Sequence, residues 1–517
     1  MGMPTISDDL VDLAPLLRES FVRCGYDADT LLATLGGDAH AALGRGEAVP
    51  VRRALPATGE FSTLVRLLLI GDPCPRADVE AALAPLPVDR ALAAGLLAES
   101  AGGVEAALDV RPIDMGSGNR WLFSDLDDSM RRRDTIPEHV LGVGHASLSL
   151  LQATPPRGEP VAAGPDGRLT VLDIGTGCGV QAVHARSYAD SVTATDISER
   201  AILLARAGAA INRLEIEFHA GSWFEPVAGR TFDRVVANPP FVVGSGDIAH
   251  VYRDSGLDLD GASRLMLGQA ADHLNPGGIA SMLAAWVHVR GEDWRARVSA
   301  WLPDHGVEAW IVQRDVADPA LYVGTWMRDA GLDPRDPEAA QQAERWLAHF
   351  ERAGVEGIGF GFVYLQRTDE PTSILAEDLR HGFSDPLGPE AVDYLRRAAW
   401  LRQHSVVDNL LRLDDATALE RVYLPATDTN ADSASPADGP WRQVVARLHR
   451  GDGPAWQHEV DELGLAIIAG LSRGELPLWQ IVDLLATAHG IDADELLAGA
   501  SVLVESLLRH GLLRPAA

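Results

Sequence analysis

The chain has 517 residues, 46% of them hydrophobic and 23% charged, with a formal net charge of −30. That length exceeds one ordinary domain and predicts about two to four, and the composition is that of a globular chain rather than a fibrous or disordered one. The acidic balance argues against a broad basic face that coats nucleic acid, while leaving room for a local basic groove.

No apolar run reaches the roughly 18 residues that a membrane helix needs. The acidic stretch from Met1 to Asp12 has none of the basic, apolar, small-residue order of a signal peptide. Cys24, Cys74 and Cys178 lie far apart, without metal-ligand spacing. So few thiols fit a reducing compartment, and the expectation is a cytoplasmic protein with neither a membrane segment nor a metal centre. All 44 basic residues are arginine, which points to a GC-rich genome and says little about function.

Residues 1–110 read as a helical module. Phe61–Leu69 has helical apolar spacing that Pro73 and Pro75 interrupt. Short amphipathic pieces follow at Val79–Leu86 and Val88–Leu97, then a small strand at Val104–Val110, an order resembling a winged helix. Residues 111–168 form a connector with a strand near Trp121–Phe123 and a Pro/Gly-rich loop from Pro155 to Gly167.

From residue 169 strands and helices alternate, which predicts a doubly wound, mostly parallel α/β sheet of seven strands over 169–368. Strands are expected at Thr170–Ile174, Val192–Asp196, Glu215–His219, Asp233–Ala237 and Gly278–Ala285. A last pair, Val307–Gln313 and Gly359–Gln366, flanks a helical insert over 316–357 and reads as an antiparallel hairpin. Residues 369–517 read as a second helical module. In it 370–425 is expected to be helical, Thr427–Gly439 to be a disordered linker, and three helices to follow at Leu463–Leu471, Leu478–His489 and Ala493–His510, the last capped by Asp492. Ala94-Gly-Leu-Leu97 and His510-Gly-Leu-Leu513 close helices in the same way. They fit either a repeated winged-helix-like module or a chance likeness of leucine-rich helix ends.

Two segments carry chemistry. Val171-Leu-Asp-Ile-Gly-Thr-Gly-Cys-Gly179 is a strand that runs into a glycine turn, and the next strand ends on Asp196-Ile197. Glycine lets a backbone approach a ligand, and a turn at the carboxyl end of a central parallel strand faces the ligand crevice. Asp196 is placed to accept both hydroxyls of a ribose. The spacing is Gly175-x-Gly177-x-Gly179 after an acid, not the G-x-G-x-x-G of pyrophosphate binders. A carboxylate at Asp173 suits an amino group and repels a pyrophosphate.

The segment resembles motif I of the class I S-adenosylmethionine-dependent methyltransferases. The resemblance implies their Rossmann-like core, S-adenosylmethionine as cofactor, and cofactor contacts from Asp173, Gly175, Thr176, Gly177, Gly179, Asp196 and Ile197. Val235-Val-Ala-Asn-Pro-Pro-Phe241 resembles the (D/N)PP(Y/F) signature of the amino-group enzymes in that class, among them release-factor glutamine methyltransferases and rRNA and tRNA base methyltransferases. It implies catalytic roles for Asn238, Pro239, Pro240 and Phe241. Asn238, which also borders the cofactor, and a proline carbonyl would accept the two hydrogens of a planar NH₂, and Phe241 would stack on the target.

Between the two segments, Ser222 stands where these relatives often carry an adenine-contacting acid, and Trp223 is placed to pack near the ring. The connector from Asp134–Glu138 through Val143–His145 resembles the segment before motif I and is expected to cover the cofactor; His145 itself reads as a structural or surface histidine. The run Tyr252–Gly261 is either a wall of the substrate pocket or a solvated loop.

The reading is an N-methyltransferase acting on an exocyclic nucleobase amine, with RNA as the favoured partner and Arg131-Arg-Arg133 either a phosphate contact or a solvated charge run. The alternatives are a glutamine N5-methyltransferase acting on a translation factor or ribosomal protein, a small-molecule methyltransferase, and a non-catalytic scaffold.

Overall fold

The computed structural model describes residues 6–126, 138–155, 167–245, 256–329, 332–333, 335–379, 382–383, 386–425 and 441–516. Contacts divide the chain into Met1–Asp378 and Leu379–Ala517. Among the described residues no helix is long and apolar enough to cross a membrane.

The first unit opens with helices α1 (Asp9–Cys24), α2 (Ala28–Gly44), α3 (Ala48–Ala54), α4 (Glu60–Leu64, continued by a π-turn over Val65–Ile70), α5 (Arg76–Leu83) and α6 (Val88–Ala93). Two hairpins follow, β1 (Leu97–Ser100) with β2 (Gly103–Ala106), and β3 (Asp109–Asp114) with β4 (Asn119–Ser124). The single strand expected at 104–110 is thus divided between two hairpins, because Ala107 and Leu108 turn the chain between them. The connector contributes α7 (His145–Ala153).

The sheet region comprises β5 (Thr170–Ile174), α8 (Val180–Ala185), β6 (Ser191–Asp196), α9 (Glu199–Ile211), β7 (Glu217–Ala220), β8 (Phe232–Ala237), a short pair β9 (Gly244–Ser245) and β10 (Asp258–Leu259), α10 (Gly261–Ala270), β11 (Leu274–Val289), α11 (Trp294–Ser299), β12 (His305–Ala317), the insert helices α12 (Pro319–Asp329) and α13 (Pro337–Arg352), β13 (Val355–Pro371) and β14 (Ser373–Asp378). The strand order is β7-β6-β5-β8-β11-β13-β12-β14. The first five are parallel, β13 is antiparallel to both β11 and β12, and β14 runs parallel to β12.

Seven of these strands form the expected doubly wound, Rossmann-like sheet, and β14 adds an eighth at its edge. All six residues of β8 are buried, as befits a central parallel strand covered on both faces. The chain steps outward one way through β5, β6 and β7 and the other way through β8 and β11, so the order reverses between β5 and β8. Ligand crevices open at such a switch point. Ile174 pairs with Ala237 across it, so the glycine turn and the Asn-Pro-Pro segment leave the sheet from neighbouring positions.

The N-terminal helices share one core with the sheet region: Leu13, Leu17 and Phe21 of α1 belong to the same buried cluster as Val180, Leu204, Ala207 and Ile211. Arg18 donates to the Ile211 carbonyl at 2.9 Å and lies over the Trp121 ring.

The second unit holds α14 (Gly388–Gln403), β15 (Leu411–Leu413), β16 (Thr417–Pro425), β17 (Trp441–Arg450), β18 (Gln457–Glu459), α15 (Glu462–Leu471), α16 (Leu478–His489), α17 (Ala493–Arg509) and β19 (Leu513–Pro515). The expectation of a helical 370–425 is corrected: among the described residues there, α14 alone is helical, and β16, β17 and β18 make a three-stranded sheet. Asp492 caps α17 by accepting from the Glu495 amide at 3.0 Å. Glu390 of α14 is buried between Arg397 and Arg450.

The two similar helix ends close alike. Leu96 N–H donates to the Ala91 carbonyl and Gly95 N–H to Leu92, and Leu512 and Gly511 repeat the pattern on Leu507 and Leu508. This is the Schellman arrangement, in which a left-handed glycine ends the helix, and in each case a short strand follows. The linker expected at Thr427–Gly439 lies outside the described residues.

Candidate cofactor and acceptor site

A cavity of about 330 Å³ opens at the switch point. One wall is the turn after β5. Gly175 and Thr176 both donate to the Thr195 carbonyl at 2.9 Å, which ties the turn to β6. Gly175 has φ +68, and a Cβ there would lie 3.8 Å from Pro239 Cα and 4.0 Å from the Asn238 carbonyl oxygen. The two loops therefore pass close together, and a side chain at Gly175 would stand between them.

Asp196 ends β6 on the floor of the cavity. Its carboxylate accepts from the Gly177 amide and the Ser198 amide, each at 2.9 Å. Burial raises its pKa, partly offset by these amide bonds. Ser198 caps α9 through the Ala201 amide at 3.2 Å. Ile197 is 60% exposed and lines the rim. Ser222 and Trp223 form a further wall. Trp223 holds φ +49, a left-handed conformation that is uncommon outside glycine.

Facing the turn are Asn238, Pro239 and Pro240, all in the cavity lining. The Asn238 amide donates to Ser147 Oγ at 3.3 Å, and Gln181 Nε2 donates to the Ser147 carbonyl at 2.9 Å.

Residues 138–147 complete the enclosure as a strap, with Glu138, His139, Val140, Leu141, Gly142, Gly144, Ala146 and Ser147 in the lining. The strap is anchored at Asp125, just past β4. The Asp125 amide donates to the Val140 carbonyl at 3.0 Å, and its carboxylate accepts the Val140 amide at 2.9 Å. The same carboxylate takes Arg200 of α9 in a two-pronged ion pair, with Nε at 2.9 Å from Oδ2 and Nη2 on Oδ1.

A glycine turn, the acid that ends β6 and an Asn-Pro-Pro segment meet around one cavity. Residues 162–287 match the family model of the methyltransferase small domain. Two further models, each described only as a domain of unknown function, match residues 23–107 and 392–515. Among curated proteins, the release factor glutamine methyltransferase of Deinococcus radiodurans is 33% identical over 151 residues, covering 25% of this chain and 52% of that protein. The ribosomal RNA small subunit methyltransferase C of Erwinia tasmaniensis is 35% identical over 116 residues, covering 22% and 30%. The chain thus spans about half the length of the first of these relatives, and less of the second. A solved S-adenosylmethionine-dependent methyltransferase from Thiobacillus denitrificans, in complex with S-adenosyl-L-homocysteine, is 19% identical with a TM-score of 0.24, covering 46% of this chain and 96% of that one.

Within residues 162–287, three residues singled out from the sequence do not line the cavity. Asp173 is 1% exposed and lies beneath the turn. Its Oδ2 accepts Thr176 Oγ1 at 2.6 Å and the Ala182 amide at 3.1 Å, while Oδ1 has no hydrogen-bond partner. Gly179 begins α8 with φ +85, and a Cβ there would lie 3.1 Å from Ala205 Cβ. Its lack of a side chain serves the packing of α8 on α9 rather than a ligand. Phe241 is half-buried among residues of the insert, Tyr322, Trp346 and Phe350 included, so its ring is already used for packing. Conversely, Gln181 and Thr195 line the cavity without having been singled out as site residues, while the strap expected to cover the cofactor lines it through Glu138–Gly142, Gly144, Ala146 and Ser147. Gln181 carried a signal, because a polar side chain on the apolar helix Val180–Ala185 is 5% exposed and bonded to the strap. Arg131–Arg133, the 134–137 part of the connector and Tyr252–Ser255 lie outside the described residues.

Burial pushes the Asp173 carboxyl up to about 7 from 3.8, against the pull of its two hydrogen bonds. Below about pH 4 the folded and unfolded chains both hold this proton, and between about 4 and 7 only the folded chain does. The stability contributed by this group is therefore complete at low pH, declines as pH rises, and is lost above about 7. Asp173→Asn preserves the shape and an acceptor for Thr176 and Ala182 while removing the charge. The thermal midpoint of this variant, relative to the parent, is expected to rise from pH 5 to about pH 7 and to level off above it. A difference that stays constant over that range would contradict the assignment.

Proposed function

We propose that the protein is an S-adenosylmethionine-dependent N-methyltransferase acting on a planar nitrogen. The observation that carries this reading is the placement of Asn238-Pro239-Pro240 across one cavity from the Gly175–Gly177 turn and Asp196. The residues fit the cofactor. Asp196 stands for the ribose hydroxyls, the Gly175–Gly177 backbone for a close approach, and Trp223 and Ile197 for the adenine faces. S-adenosylmethionine supplies an electrophilic methyl group on a sulfonium.

The chain's own residues do the aligning. An amide or aromatic amine is a poor nucleophile because its lone pair is delocalised. The Asn238 side-chain carbonyl and a proline carbonyl accept its two N–H groups, which draws the nitrogen toward a tetrahedral shape and directs the lone pair into the cavity. Such positioning is worth several orders of magnitude in rate.

For the acceptor, the glutamine amide of a protein is the reading that the charges favour. Among the described residues no arginine lines the cavity, and its carboxylates are Glu138 and Asp196. A polyanionic acceptor would meet that wall unfavourably. The relative from Deinococcus radiodurans, named a release factor glutamine methyltransferase, points the same way. The nucleobase reading, first in the sequence analysis, rests on the relative named for ribosomal RNA and on Phe241 in place of tyrosine.

The test is transfer of label from methyl-tritiated S-adenosylmethionine into extract of a strain lacking the gene, fractionated into protein, RNA, DNA and small molecules. Label in protein, recovered as methylglutamine, is expected. Label in nucleic acid would move the acceptor to a base amine. No label and no cofactor binding would leave a scaffold.

A further inference from the structure

The acceptor segment does not end at Phe241, and the groups that hold its continuation come from the insert between β12 and β13. Val243 is fully buried. Its amide donates to the Tyr322 hydroxyl at 2.7 Å, and its carbonyl accepts Trp346 Nε1 at 3.1 Å. Tyr322 lies on α12 and Trp346 on α13, with their rings edge to face at 6.1 Å. Both backbone polar groups of this residue are thus satisfied by side chains of the insert. Directly afterwards, Gly244 and Ser245 pair with Leu259 and Asp258, and Asp258 Oδ1 is bonded to His349 Nε2 of α13 at 2.8 Å. Tyr322 also stacks on Phe360 of β13, with ring centroids 5.9 Å apart, which fixes the insert to the sheet.

Buried backbone groups without partners are costly, so Val243 keeps this position only while both insert side chains are in place. Val243 lies five residues from Asn238, with two prolines between that limit the freedom of the connecting backbone.

We propose that Tyr322 and Trp346 are positioning residues that set Asn238 and the proline carbonyls in register with the cofactor, so that the insert governs turnover without touching the reacting atoms. This rests on the methyltransferase reading above. A misplacement of about 1 Å far from the chemistry can cost up to about a hundredfold in rate.

The test pairs two variants in the full-length chain: Tyr322→Phe, which keeps the ring and loses only the hydroxyl, and Trp346→Phe, which loses the indole N–H together with part of the ring. Amide hydrogen exchange of the peptide spanning 239–245 is expected to speed up about tenfold at Val243 in Tyr322→Phe. In both variants kcat is expected to fall about tenfold, with S-adenosylmethionine affinity unchanged. A structural role alone would lower the thermal midpoint and leave kcat per folded molecule intact. Unchanged exchange at Val243, or unchanged kcat with faster exchange, would overturn the proposal. Should the parent protein transfer no methyl group to any fraction, the function reading fails by itself. Cofactor-linked protection of the 239–245 peptide then decides the clamp: protection lost in Tyr322→Phe supports it, and protection retained refutes it.

Discussion

Asn238→Ala is expected to lower methyl transfer by about a hundred- to a thousandfold while leaving S-adenosylmethionine affinity within about threefold of the parent. The size follows from what is removed. An aligned polar partner in a water-poor site, lost without distorting the site, typically costs this much in kcat and little in ground-state binding. The amide has no part in holding the turn after β5, whose backbone bonds run to Thr195 and Asp196. Its one side-chain bond, to Ser147 at 3.3 Å, lies at the long end of useful geometry. Single-turnover transfer and calorimetric cofactor titration separate the two quantities. A variant that loses cofactor binding in proportion to rate would show that Asn238 is a binding residue and not an aligning one.

Asp125→Ala is expected to cost about 3–5 kcal/mol of stability and to weaken the cofactor at least about tenfold. Asp125 is 4% exposed, and its Arg200 partner has a side chain only 13% exposed. Removing one member of such a pair leaves the other buried without its counter-charge, which is the costly case. The Val140 amide loses its acceptor at the same time, so the strap loses its near anchor. The comparison is Arg206→Ala, which breaks a pair with Asp8 whose side chains are 47% and 84% exposed; that loss should stay within about 1 kcal/mol. Denaturant titration of both variants, followed by cofactor titration, gives the contrast. Equal stability losses would mean that the buried pair is no stronger than the exposed one.

The parts of this molecule that could be read from sequence are those whose signal is local. Asp173–Gly179 and Asn238–Phe241 each declare themselves within a few residues, and the sheet strands around them alternate with helices at the expected lengths. The strap was legible as a cover but not as an anchored one, because Asp125 and Arg200 are 75 positions apart. The clamp on Val243 is less legible still, with partners 79 and 103 positions away.

Local signals also misled. Gly179 looks like a ligand glycine, yet it is the neighbour Ala205 that requires it. Strand β16 escaped notice because its residues are almost all exposed or half-exposed, which leaves no alternation of apolar and polar positions to read. Strand β14 is half-buried at every position, for the same result.

The pairing of Ile174 with Ala237 has a consequence for how such a site can diversify. The donor and acceptor loops start from adjacent strands, so their origins are held one strand spacing apart, about 4.8 Å. That interval is a gauge set by the backbone ladder and is blind to what either loop contains. On the methyltransferase reading, new acceptors can be accommodated by remodelling the attachments, such as the insert helices or the strap, while the interval between the two loop origins stays as it was.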